Sequence, residues 1–123
     1  MLIIATPNPD SLQFRIFGPY WFHLDAPRHL ELIPSALLDH EMDRLGLERL
    51  PVTYVDKGSL ALNSPGWETS MISLLAQSPL GAHAQKIGHW IGRVTGFLEQ
   101  RDGLGSAYTM VFRKGDDRAT EGS

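Results

Sequence analysis

The residues best suited to chemistry lie in the first third of the chain. Asn8 follows an apolar run at residues 2–5 and a Thr-Pro corner, and its amide can both donate and accept hydrogen bonds. Arg28 and His29 occur together in the Pro-Arg-His-Leu segment at residues 27–30. An imidazole can take up a proton near neutral pH, and a guanidinium can bind an anionic group. The pattern therefore favours a polar site on loops that follow a buried strand.

Each of these residues also has a purely structural interpretation. Asn8 could cap the turn between its two flanking prolines, and Arg28 could pair with Asp25 at the surface. His29 is followed by leucines one and three residues later, as is typical of a core histidine bonded to the backbone. Trp21, which precedes this segment, could line an apolar wall of the site or simply pack in the core. Sequence alone leaves both interpretations open.

No metal site is predicted. His23, Asp25 and His29 have side chains that bind zinc, but no further ligand is positioned with them. His83 and His89 lie six residues apart, a spacing that does not place them on a shared helix face. The chain has no cysteine, which excludes disulfides and thiolate sites.

Three segments are predicted to form strands around these residues. Residues 2–6 are apolar at consecutive positions, which is typical of a strand covered on both faces. Residues 51–56 and 107–113 are rich in β-favouring side chains, and the latter segment alternates in a way that lets both faces be covered. Between the first two strands, residues 8–31 combine many aromatics with turn formers, so a packed loop or lid is predicted there.

A first amphipathic helix is predicted at residues 34–45. Leu38, Met42 and Leu45 recur at the spacing that places them on one helix face. Gly46 follows directly and can adopt the left-handed conformation that ends a helix.

Two further helices are predicted before the last strand. Ser64 and Pro65 form a favourable start for one of them, which should end before Ser78 and Pro79. The next spans about residues 80–100, with apolar residues along one face at Ile87, Trp90, Ile91, Val94, Phe97 and Leu98. The glycines in this helix each cost ~1 kcal/mol in a helix interior, or they permit close approach of a neighbouring element.

Length, charge and hydropathy exclude several classes of protein. At 123 residues the chain has the size of one domain. The net charge is −3 and the basic residues are dispersed, so nucleic acid is not predicted as a partner. No apolar run approaches the ~20 residues of a spanning helix, and no signal peptide is recognisable. The sequence therefore predicts a cytoplasmic protein without a membrane partner.

The landmarks of the first third resemble a known family. Thr6-Pro7-Asn8, Trp21 and the segment 27–30 are similar to the C-terminal half of class I S-adenosylmethionine-dependent methyltransferases, in the group that acts on small molecules. In that group a late strand ends in Thr-Pro-Asn and is followed by a Trp and a Pro-Arg-His-Leu segment. The resemblance extends from residue 2 to about residue 114.

The resemblance implies an α/β fold, a partial Rossmann-like methyltransferase fold with about three helices. Its three-stranded mixed sheet would have the last strand, 107–113, antiparallel between strands 2–6 and 51–56. The outer edge of strand 2–6 would then be open, and a second copy or a missing N-terminal half could pair there. Residues 1–114 would form the substrate-side part of the domain, followed by a disordered tail at 115–123.

For the site, the resemblance implies His29 as the catalytic general base, with Asn8, Trp21 and Arg28 binding the acceptor. S-adenosylmethionine is the implied cofactor. The family's glycine-rich turn and acidic ribose ligand are not found, because the glycines at 103 and 105 precede a strand rather than a helix. No cofactor-binding residue is therefore assigned.

The function implied is that of the C-terminal part of a methyltransferase for a small-molecule acceptor, inactive as this chain alone. An alternative is a non-catalytic module derived from such an enzyme, which self-associates and binds a ligand or partner. The acceptor, and whether oxygen, nitrogen or carbon is methylated, stay open.

Overall fold

Most of the chain is described by a computed structural model. The described residues are 1–24, 31–51, 53, 57–101 and 103–115. The candidate residues Arg28 and His29 lie outside this set, as does the predicted tail from residue 116 onward.

Within the described residues the chain has a mixed α/β fold with three strands and four α-helices. In chain order the elements are β1 (Leu2–Pro7), α1 (Leu12–Phe17), α2 (Ser35–Arg44), β2 (Leu47–Arg49), α3 (Lys57–Leu75), α4 (Ala84–Glu99) and β3 (Ala107–Lys114). Short 3-10 helices follow α1 at Gly18–Tyr20 and precede α4 at Gly81–His83.

The three strands form a sheet in the order β1-β3-β2, with β3 antiparallel to both neighbours. The register runs from Leu2 opposite Phe112 to Pro7 opposite Ala107. The predicted strand order, with the last strand in the middle, is confirmed. Since both pairings are antiparallel, the sheet is antiparallel rather than mixed.

The strand predicted at 51–56 begins earlier in the chain, at Leu47. β2 begins at Leu47 because Gly46, with a φ of 74°, turns the chain directly out of α2 and into pairing with β3. Leu50 extends the pairing by donating its N–H to the carbonyl of Val111 at 2.8 Å, and Thr53 forms an isolated bridge with Thr109. Residues 52 and 54–56 lie outside the described set.

One face of the sheet forms a core with α2. Tyr108, Met110 and Phe112 alternate along β3 and are completely buried, packed with Leu38 of α2. The predicted helix at 34–45 is thus confirmed in position and in its inward face, although Leu45 is 71% exposed.

The strand β1 is less covered than its sequence predicts. Leu2 is 40% exposed and Ile3 is 58% exposed, although a consecutive apolar run is typical of a strand buried on both faces. Among the described elements β1 pairs only with β3, so its outer edge has no strand beside it.

Residues 8–31 are not only loop, because they include α1. Ser11 caps this helix by accepting a hydrogen bond from the N–H of Phe14 through its hydroxyl oxygen, and Gly18 ends it with a φ of 51°. The cap was missed because aromatic residues obscure the short helical pattern. Phe17 and Trp21 then enter a second core, formed with Trp67 and Met71 of α3.

Helices α3 and α4 form a closely packed pair. Pro65 lies inside α3, which begins at Lys57, so the predicted start at Ser64 is wrong. The glycine face of α4 packs on α3: a Cβ on Gly88 would lie 2.6 Å from the carbonyl oxygen of Trp67. The interpretation of these glycines as sites of close approach is confirmed for Gly88 and Gly92.

The predicted inward face of α4 is wrong in part. Trp90, Val94 and Phe97 are 66–67% exposed, because the glycine face has taken the position against α3. In the part of the chain that the structure describes, no helix is long and apolar enough to cross a membrane.

Candidate functional site

Asn8 lies at the carboxyl end of β1 and joins it to the loop before β3. Its Nδ2 atom donates hydrogen bonds to the carbonyl oxygens of Gly103 at 2.9 Å and Gly105 at 2.8 Å. Its Oδ1 atom accepts a hydrogen bond from the N–H of Asp10 at 3.0 Å, which is an Asx turn. The side chain is 1% exposed, so it acts as a cross-strand anchor at this corner.

The backbone of the corner continues this anchoring. The N–H of Asn8 donates to the carbonyl of Ser106 at 2.9 Å, and the hydroxyl of Ser106 donates to Oδ1 of Asn63 in α3 at 2.6 Å. Both N–H groups of the Asn8 amide are therefore engaged by the chain itself. This geometry supports the turn-capping interpretation of Asn8 over a direct role in binding acceptor.

A second polar cluster, which was not predicted from the sequence, lies between the helices. Gln13 of α1 donates through Nε2 to the carbonyl of Asn63 at 2.8 Å and to Oε1 of Glu99 at 2.7 Å. The indole N–H of Trp67 donates to Oε2 of Glu99 at 3.0 Å. Gln13 and Glu99 are fully buried, so α1, α3 and α4 are tied together inside the helical core.

Trp21 belongs to this cluster and not to an exposed wall. Its indole N–H donates to Oε1 of Gln13 at 3.3 Å, and only 2% of the residue is exposed. Its ring lies 5.1 Å from that of Phe14 and 4.9 Å from that of His23. The interpretation of Trp21 as a packing residue is the one that this geometry supports.

Glu99 is a carboxyl held in an apolar interior. Burial raises its pKa, and the hydrogen bonds from Trp67 and Gln13 act in the opposite direction. Both carboxyl oxygens accept hydrogen bonds from neutral donors, which favours the ionised form. Removing that charged form from water nevertheless costs free energy. In this conformation the carboxyl is buried and joins α1, α3 and α4 through these hydrogen bonds.

A cleft opens where β1 ends, on the opposite face of the sheet from α2. It has a volume of about 320 Å³. The last residues of β1, the first residues of β3 and the first turns of α3 bound it. Its lining residues are Ala5, Thr6, Pro7, Gly58, Ser59, Leu62, Ala107 and Thr109. This lining is mostly apolar with a few hydroxyls, and it contains no ionisable side chain. The cleft can therefore seat a small apolar group, whereas a proton acceptor would have to come from other residues.

The remaining residues that the sequence suggested for a binding, catalytic or metal site lie partly outside the described set. Arg28 and His29 lie outside the described residues. Of the three residues considered and rejected as zinc ligands, Asp25 and His29 also lie outside the described residues, and His23 is buried against Trp21. Among the described residues, no group of three or more His, Asp or Glu side chains is placed to hold a metal ion.

A sequence signal for the buried cluster existed in α4. Glu99 follows Gly88 and Gly92 by eleven and seven residues, which places it on the same helix face. Since that glycine face packs on α3, a carboxylate there must be buried and hydrogen-bonded. The indole of Trp67 and the amide of Gln13 supply those bonds.

Comparison with protein-family models, with curated proteins and with solved structures finds no match to this chain.

Proposed function

We propose that this chain forms the substrate-side part of an S-adenosylmethionine-dependent methyltransferase that acts on a small-molecule acceptor. The observation that carries the proposal is the strand order β1-β3-β2, with β3 antiparallel in the middle. This is the arrangement that the resemblance of the Thr6-Pro7-Asn8 and Trp21 landmarks implies for the last three strands of a Rossmann-like methyltransferase fold.

The exposed edge of β1 supports the same proposal. In such a fold the strand that ends in Thr-Pro-Asn has a parallel neighbour from the cofactor-binding half. Here Leu2 and Ile3 are exposed on a strand that pairs on one side only among the described elements. An apolar open edge is a surface that natural sheets usually cover. We therefore assign this edge to pairing with a cofactor-binding half.

The cleft at the end of β1 is the proposed seat of the acceptor. Ligands of open α/β sheets bind beyond the carboxyl ends of the parallel strands. The cleft lies at the carboxyl end of β1, the strand proposed to continue such a parallel sheet. Methyl transfer from a sulfonium requires in-line placement of the acceptor and, for a hydroxyl or amine, a base. His29 is the proposed base and Arg28 the proposed partner of an anionic acceptor group.

The described residues do not fit the cofactor itself. A glycine-rich turn that binds a nucleotide presents backbone N–H groups at the start of a helix. The turn at residues 103–106 instead leads into β3, and two of its carbonyls, those of Gly103 and Gly105, accept from Asn8. The residues that bind the cofactor are therefore proposed to belong to the pairing half.

Calorimetric titration with S-adenosylhomocysteine tests this proposal. The purified chain alone should release no binding heat. The chain should bind once it is co-expressed with the polypeptide of its source that carries a glycine-rich strand-turn-helix, encoded in frame with it or beside it. Binding by the chain alone would place the cofactor site within these residues. The absence of binding by the assembled pair would contradict a methyltransferase role.

A second candidate function is a non-catalytic module that self-associates through the edge of β1. The observation that favours it is the engagement of Asn8 and Trp21 by the chain itself, since both were candidate acceptor ligands. Under this alternative the chain should dimerise on its own, and the cofactor analogue should bind no assembly that contains it.

A further inference from the structure

The outward face of α4 carries an exposed aromatic and aliphatic ridge. Trp90, Val94 and Phe97 follow one another at the i, i+4, i+7 spacing of one helix face, and each is about two-thirds exposed, at 66–67%. The helix has 16 residues and is therefore about 24 Å long. Nothing in the described part of the chain covers this ridge.

The same face is basic. Lys86 and Arg93 lie on either side of Trp90 on the helix surface, both are exposed, and Arg101 continues the row just beyond α4. The guanidinium carbon of Arg93 lies 6.0 Å from the centre of the Trp90 ring. This cation–π contact helps to hold the indole in its outward position.

Of the two carboxylates near this face within the described residues, one is buried and the other lies at its border. Glu99, the acidic residue of α4, points into the helical core and is fully buried. Glu68 of α3 lies at the border of the face, where it lines a shallow pocket with Lys86 and Trp90. Its carboxylate is engaged there by hydrogen bonds to Gln85 and His89. The ridge therefore combines apolar side chains with positive charge, although the whole chain has a net charge of −3.

We propose that this face of α4 docks on an anionic lipid surface, with Trp90, Val94 and Phe97 inserted between headgroups and Lys86 and Arg93 paired with lipid phosphates. An interfacial helix of this kind combines Trp and Phe with Lys and Arg and lies in the plane of the membrane. The sequence prediction of no membrane partner considered only spanning helices, whereas surface docking needs one exposed face. The proposal does not depend on the proposed methyltransferase function.

Two other occupants fit the face less well. A second copy paired through α4 would bring Lys86 and Arg93 against the same cations, which repel. A protein partner would need a groove that matches a convex ridge, while a fluid headgroup layer accommodates each side chain separately.

Tryptophan fluorescence gives a direct test, because Trp90 is 67% exposed whereas Trp21 and Trp67 are at most 2% exposed. Vesicles of equal parts phosphatidylcholine and phosphatidylglycerol should shift the emission to shorter wavelength, and pure phosphatidylcholine should not. The shift should disappear in high salt, since the attraction is screened.

Co-sedimentation with the same vesicles tests the residues. The Lys86→Glu, Arg93→Glu double variant and the Trp90→Ala, Phe97→Ala double variant should each bind about tenfold more weakly or worse. The matched control replaces two exposed leucines, Leu37 of α2 at 51% and Leu45 directly after α2 at 71%, with Ala and should bind like wild type. All these side chains are exposed, and circular dichroism checks that the variants remain folded.

Three results would overturn the proposal. The first is no sedimentation with the anionic vesicles at low salt. The second is undiminished binding by either α4 double variant. The third is a shift of Trp90 emission by an acidic polypeptide such as polyglutamate but not by the vesicles, which would assign the face to an acidic protein.

Discussion

The Nε2 atom of Gln13 lies 2.7 Å from Oε1 of Glu99, and this hydrogen bond joins α1 to α4 inside the helical core. The two residues are separated by 86 positions in sequence. The second oxygen of Glu99 accepts from Trp67, so one buried carboxyl fixes the relative positions of three helices. Removing one partner of such a hydrogen bond is most destabilising where it leaves another buried polar group unsatisfied.

Replacing Glu99 with Gln should change how stability depends on pH. Burial raises the pKa of the carboxyl above its ordinary value of 4.5. At a pH between this ordinary value and the higher pKa of the folded protein, the folded protein retains a proton that the unfolded chain has released. The contribution of Glu99 to the unfolding free energy therefore falls as the pH rises through this range. Glu99→Gln removes the contribution. The unfolding free energy of wild type minus that of the variant should therefore decrease with rising pH, as measured by urea denaturation.

Glu68→Gln is the matched control, and its effect should have the opposite sign. Hydrogen bonds from Gln85 and His89 lower the pKa of the Glu68 carboxyl. The stabilising contribution of this carboxyl is therefore present above its ordinary pKa and is lost on acidification. If the two variants showed the same pH trend, the inferred difference between their environments would be wrong.

Removing the amide of Asn8 should destabilise the corner between β1 and β3. Asn8→Ala leaves the buried carbonyl of Gly105 without its donor and removes the Asx turn to Asp10, at a cost of about 1–3 kcal/mol. Asn8→Asp keeps the acceptor but loses the donors, and should also be destabilised. Chemical denaturation measures both. Asp10→Asn serves as the control, since the bond to Asp10 uses its backbone N–H.

An unchanged unfolding free energy in Asn8→Ala would contradict the anchoring role. Asn8 would then again be a candidate for binding the acceptor, because its amide would have no role in folding.

The contact between α3 and α4 predicts opposite effects for two glycines of one helix. A Cβ on Gly88 would lie 2.6 Å from the carbonyl oxygen of Trp67 and 2.8 Å from Cα of Glu68, so Gly88→Ala must separate the helices and should cost about 1–3 kcal/mol. A Cβ on Gly96 meets no described atom within 4 Å, so Gly96→Ala should stabilise by about 0.5–1 kcal/mol. Thermal and urea unfolding compare the two. Equal effects would show that α4 does not pack on its glycine face.

The sequence predicted the strand order and the helix at α2 because their signals are local or come from the family resemblance. Leu38 and Met42 mark an inward face that a single helix displays by itself, and Gly46 marks its end. The resemblance supplied the position of the last strand between the other two, which periodicity alone does not give.

The packing of α4 could not be predicted in the same way. Hydrophobic periodicity assigns Trp90, Val94 and Phe97 to a core, but the closest approach to α3 is made by residues with no side chain. Which face of α4 packs inward depends on the partner helix. Gly88 lies against the backbone of α3 and Gly92 against the Trp67 side chain, and this contact excludes the bulky face from the same interface. The buried Glu99 follows from that outcome, so it was missed for the same reason.

A charge placed on the open edge of β1 should abolish any association through that edge. Ile3 is 58% exposed on this strand, and a lysine there is the device by which natural sheets keep edges apart. If the chain dimerises, Ile3→Lys should raise the dissociation constant by about tenfold or more, because two copies of the edge would face each other with like charges. Light scattering after size-exclusion chromatography measures the mass over a range of concentrations.

Ile16→Lys is the control for that experiment, since Ile16 is 54% exposed on α1, away from the strand edge. A dimer that Ile3→Lys disrupts and Ile16→Lys leaves intact would locate the interface at β1. A wild-type chain that stays monomeric at every concentration would exclude the self-associating module. It would still permit pairing with a cofactor-binding half, for which Ile3→Lys should weaken assembly because the lysine would replace an apolar side chain in the new strand contact.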